Sequence, residues 1–82
     1  MPQILAIFGL RVVIYYNDHQ PSHVHVLGKG CEAIFNLHCP NGPPSIRENY
    51  QFSHKELNKI SNELNMHLAL LCQNWRKLHG NY

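Results

Sequence analysis

Eighty-two residues suit one domain with a modest core and a thin stability margin. A formal charge of +2 is too small to argue for nucleic-acid binding without clustered Lys and Arg, and no apolar run approaches the length of a membrane span. Charged residues make up only 15%, below the roughly 25% of an average soluble domain, so part of the surface is expected to lie under a partner or a second copy.

The first half reads in twos. Gln3 to Phe8 is apolar, and Gly9-Leu10 marks a turn. Arg11 to Tyr16 is β-branched and aromatic, which suits a half-buried strand. Asn17 to Ser22 is a dense group of turn formers. His23 to Leu27 alternates strictly, the period of a strand. Gly28-Lys29-Gly30 permits a tight hairpin, and Cys31 to Leu37 is a fourth strand. Short loops favour antiparallel neighbours in a meander over residues 1–37. Residues 38–52 read as a Pro/Gly-rich loop, with Pro40, Gly42, Pro43 and Pro44 breaking regular structure and Ser45 to Asn49 able to add a short extended piece.

The second half reads in threes and fours. Ser53-His54-Lys55-Glu56 is a capping box that starts a helix. Leu57, Ile60, Leu64, Leu68, Leu71, Trp75 and Leu78 line one face. Arg76, Lys77 and His79 suit the negative end of the helix dipole, and Gly80 suits a C-terminal cap. The helical segment is 53–80, and one unbroken helix from His54 up to the Gly80 cap would be about 39 Å long. A small sheet cannot cover that length. Either the helix bends or breaks near Asn62 to Asn65, or its end, from Leu71 to Leu78, packs on a partner or a second copy. The fold class is therefore α+β, about four antiparallel strands followed by a long amphipathic helix, in a single domain spanning 1–82.

Cys31, Cys39 and Cys72 are odd in number and contain no Cys-x-x-Cys pair. They read as free thiols in a reducing cytosol. With no signal-peptide pattern at the N-terminus, the expected location is cytoplasmic, with no membrane partner.

Pairing across a turn at Lys29-Gly30 sets Leu27 opposite Glu32, His25 opposite Ile34 and His23 opposite Asn36. One face then carries His23, His25, Glu32 and Asn36, and the other carries Val24, Val26, Cys31, Ala33 and Phe35 as the core face. Asn17, Asp18 and His19 lie in the loop feeding this hairpin, and Arg11 and Tyr15 stand on the preceding strand. These residues, with Trp75 on the distal helix, form the candidate binding set: Arg11, Tyr15, Asn17, Asp18, His19, His23, His25, Glu32 and Trp75.

The segments Pro2 to Leu5, Tyr15 to His19 (YYNDH), Pro21 to Val26 (PSHVHV) and Glu32 to Phe35 (EAIF) form a pattern with Phe52 to Leu57 (FSHKEL) and Trp75 to Gly80 (WRKLHG). The pattern resembles the small bacterial domain-of-unknown-function family 4160 over nearly the whole chain. Ser22 stands where that pattern has a second proline, and the loop around Pro40 to Pro44 is longer than usual. The resemblance implies a bacterial or phage-borne protein, often encoded beside another small domain. That neighbourhood looks like a toxin–antitoxin or defence-related pair.

Three functional readings follow. The economical one is a non-enzymatic module that binds a protein partner; a phage-borne copy could inhibit a host defence complex by occupying its nucleic-acid site. A second uses the histidines with Arg11, Tyr15 and Lys29 as a small ribonuclease, since metal-free cleavage needs a base, an acid and a cation; the missing basic groove weighs against it. In a third, His19, His23 and His25, with Asp18 or Glu32, hold a transition metal. Strand histidines at i and i+2 match no established site and equally suit pinning the turn, so no metal or cofactor is assigned. A nucleic-acid partner and a homodimer stay open.

Overall fold

The computed structural model describes residues 3–82. Met1 and Pro2, and with them the start of the Pro2 to Leu5 segment, lie outside the described residues. Five strands, β1 (Gln3–Ile7), β2 (Leu10–Val13), β3 (His23–Gly28), β4 (Cys31–Asn36) and β5 (Ser45–Tyr50), precede two helices, α1 (His54–Met66) and α2 (Leu68–His79). The sheet is an antiparallel meander in the order β1-β2-β3-β4-β5. The α+β class holds, with one more strand and one more helix than expected.

The β3–β4 register is the one the alternation requires: His23 faces Asn36, His25 faces Ile34 and Leu27 faces Glu32. Val24, Val26, Ala33 and Phe35 are fully buried, so the core face is also as expected, except that Cys31 is only half-buried. Leu57, Ile60, Leu64, Leu68, Leu71 and Trp75 from the helices complete one core with these residues. Gly28 permits the tight approach of β2 to this hairpin: its φ is +153°, and a β-carbon there would come within 2.7 Å of Leu10 Cδ2.

β2 stops at Val13 rather than reaching Tyr16. The Tyr15 N–H donates to Asp18 Oδ2 (2.9 Å) and the Asp18 N–H donates to the Tyr15 carbonyl (3.1 Å). This local turn competes with the sheet ladder for the same backbone groups.

β5 lies within the segment read as loop. It escapes the alternation test because all six of its residues are exposed. An edge strand with no buried face carries no binary pattern.

The helix breaks at His67, just beyond the expected stretch. His67 has φ −109° and ψ 18°, outside helical values, and caps both helices. With the break the whole molecule extends only 32 Å along its longest axis, less than the roughly 39 Å of a straight helix. Leu71 and Trp75 of α2 enter the core, where both are fully buried. These two distal residues therefore pack on their own chain.

The reading of three free thiols is overturned. Cys39 and Cys72 form a disulfide, and only Cys31 is free. The bond ties the 38–44 loop to α2. Gly42 is pressed against the same helix: a β-carbon there would lie 2.6 Å from Leu68 Cδ2. Cys39→Ser should remove the cross-link across a separation of 33 residues and cost about 3–4 kcal/mol by the loop-entropy relation, read by chemical denaturation against the parent.

The capping box is complete. The Glu56 N–H donates to Ser53 Oγ (3.1 Å) and the Ser53 N–H donates to Glu56 Oε1 (3.0 Å). The Ser53 backbone N–H, and secondarily its hydroxyl, hold the Glu56 carboxyl below the usual carboxylate range. A depressed folded pKa adds stability above the unfolded value, and that stability disappears as pH falls through the folded one. Ser53→Ala should cost about 1 kcal/mol at neutral pH. It should also flatten part of the loss of stability below about pH 4, as measured by thermal melts across the acid range.

Candidate functional site

The alternation that buries Val24 and Val26 sends His23 and His25 to the opposite face. Their rings meet edge to face, with centroids 5.3 Å apart. The chain entering β3 is held in place by its backbone: the Ser22 N–H donates to the Tyr82 carbonyl (3.2 Å), and the Leu37 N–H donates to the Ser22 carbonyl (3.0 Å). His23 sits at the strand's start, 95% buried.

Asp18 reaches both imidazoles. Its Oδ1 lies 3.4 Å from His23 Nε2 and 3.3 Å from His25 Nε2. Its Oδ2 accepts the Tyr15 N–H, which fixes the carboxylate's orientation. The far side of each ring has its own neighbour. The His23 Nδ1–H donates to the Pro21 carbonyl (2.9 Å). His25 Nδ1 is buried without a hydrogen-bond partner, and Glu32 Oε2 stands 3.6 Å away. Tyr15 covers His25 edge to face at 4.6 Å. Among the described residues, Asp18, His23 and His25 form the group able to hold a metal, one ligand atom from each lying within 4.8 Å of the others.

A cleft of about 260 Å³ opens beside this group, lined by Asn17, Asp18, His19, Gln20, His23, His25, Ile34, Arg47 and Glu48. Five of the expected residues, Asn17, Asp18, His19, His23 and His25, therefore line one cavity. Tyr15 and Glu32 touch His25 from behind.

Two of the expected residues lie outside the cleft. Arg11 pairs with Leu27 at the other end of β3, is exposed, and does not line the cleft. Trp75 is fully buried, so it is no surface anchor. Its indole N–H donates to the Asn81 carbonyl (2.7 Å), and its ring meets those of His79 (centroids 4.3 Å apart) and His23 (5.2 Å) at tilted angles. It supports the site from within. His79 extends this support, its Nε2–H donating to the Tyr15 carbonyl (3.1 Å).

Sequence pattern does not single out Arg47 and Glu48, because β5 has no buried face and falls in the Pro/Gly-rich segment 38–52. A register shift between Ile34 and Phe35 leaves Arg47 without a Cα partner in the ladder. A bulge of this kind re-aims side chains, which is how two consecutive residues come to line one cleft. The Tyr50 hydroxyl donates to Glu48 Oε1 (3.0 Å), and that bond, with the Glu48 charge, raises the Tyr50 pKa.

The family described as domain of unknown function DUF4160 matches residues 9–76. The chain belongs to the DUF4160 family. The matched span takes in β2 through most of α2, and so every residue lining the cleft. No curated protein and no solved structure matches the chain. No helix among the described residues is long and apolar enough to cross a membrane.

Asp18→Ala should leave the Tyr15 N–H without its acceptor and cost about 1–3 kcal/mol. His19→Ala, an exposed change in the same loop, should stay within about 0.5 kcal/mol of the parent. Urea denaturation of the two variants side by side checks the contrast.

Proposed function

We propose that this chain is an interaction module that binds a protein partner through the cleft and the adjoining free edge of β5. The observation that carries the reading is β5 itself. It is an edge strand with all six residues exposed, including Ile46 at 49% and Tyr50 at 53%. It also contributes Arg47 and Glu48 to the cleft. An unpaired edge is a template for an added strand. The bulge and the adjacent charges discourage indiscriminate pairing, which suits one chosen partner over many. The family resemblance supplies the setting: a bacterial or phage protein acting within a toxin–antitoxin or defence-related pair.

A second reading has its own observation. Two imidazoles and a carboxylate meet in one cleft with Arg47 on its wall, the acid, base and cation that phosphodiester cleavage requires.

Co-purification with the protein encoded beside it separates the two. Ile46→Lys with Tyr50→Ala should weaken the complex at least tenfold while leaving the melting temperature unchanged, because both residues are exposed. A complex indifferent to these changes would count against the β5 interface. RNA turnover that disappears in a folded His25→Ala variant would favour the second reading.

A further inference from the structure

Each ring's two nitrogens have separate surroundings. The Pro21 carbonyl can only accept, so His23 carries its proton on Nδ1. A neutral His23 therefore presents a bare Nε2 lone pair, and that lone pair faces a carboxylate oxygen 3.4 Å away. In that neutral form no hydrogen lies between the two acceptors. His25 Nε2 reaches the same oxygen at hydrogen-bond distance, 3.3 Å.

A cation accounts for this convergence. Ligands bound tetrahedrally at about 2.0–2.2 Å from zinc lie roughly 3.3–3.6 Å from one another, and the carboxylate–imidazole separations are 3.3 and 3.4 Å. Metal-bound histidines almost always have an acceptor on the ring's far nitrogen. Here Pro21 supplies one for His23, and the Glu32 carboxylate stands opposite the orphaned Nδ1 of His25. The three side chains are only 7–12% exposed, dry enough to strengthen charge–ligand attraction. The remaining side opens on the cleft.

We propose that Asp18 Oδ1, His23 Nε2 and His25 Nε2 form a three-ligand site for a divalent transition metal of the zinc class, with its open position facing the cleft. Two nitrogens and one oxygen suit zinc and its neighbours over magnesium or calcium. The site stands independently of the partner proposed for β5.

The test uses the disulfide-intact protein, stripped with chelator and titrated with zinc by calorimetry and with cobalt(II) by fluorescence. Trp75 is the chain's single tryptophan and touches His23, so cobalt at this site should quench it. One equivalent of zinc should bind. His25→Ala should abolish both signals, and Asp18→Asn, which keeps a side-chain oxygen, should weaken binding at least tenfold. Glu32→Gln should weaken it 10–100-fold, as for a partner behind a ligand. Cys31→Ser and His54→Ala should change nothing. Absence of saturable binding to the folded parent, or binding that survives in folded His25→Ala, overturns the site. Should His25→Ala fail to fold, the quenching stoichiometry of the parent and the Asp18→Asn variant still decide it.

Discussion

The strict alternation of β3 is the constraint on which the rest of this molecule depends. Val24 and Val26 must enter the core, since each is fully buried beneath the helices. Successive side chains on a strand point to opposite faces. Burying the valines therefore places His23 and His25 together on the other face. The Asn17 to Ser22 loop then brings Asp18 over them, and its shape is set by the two bonds between Tyr15 and Asp18.

The polar cluster is supported by the core on which it sits. Trp75 lies in the hydrophobic interior and also against the ring of His23. His79, one turn further along, meets the Trp75 ring at a tilt and donates to the Tyr15 carbonyl. The helix end and the site loop are thus coupled through direct contacts. The disulfide between Cys39 and Cys72 ties the same helix to the loop ahead of β5. The loop, α2 and the cleft wall are held by one set of constraints.

The cleft combines a rigid and an accessible side. The imidazoles and Asp18 are nearly dry, whereas Arg47 and Glu48 come from an exposed edge strand. Rigid polar groups below and exposed charges above can fix a small ligand and also contact a larger partner. The two proposals share the cleft but rest on different residues, the partner on the β5 edge and the metal on Asp18, His23 and His25, so either can stand without the other.

By itself the sequence determined the antiparallel meander of four strands, the β3–β4 register, the capping box and the gathering of Asn17, Asp18, His19, His23 and His25. Each of these follows from local periodicity, turn chemistry or pairing across one short hairpin. Tertiary structure alone decided the rest. β5 has no buried face, so no hydrophobic pattern announces it. Helix length leaves two outcomes open, a break or a cover for the distal end, and only the structure places a break, at His67. The pairing of Cys39 with Cys72 needs two distant segments to meet, and spacing carries no trace of that. Trp75 lies on an apolar stripe whether its cover is a partner or its own chain, and only its place in the folded core shows that it is the latter.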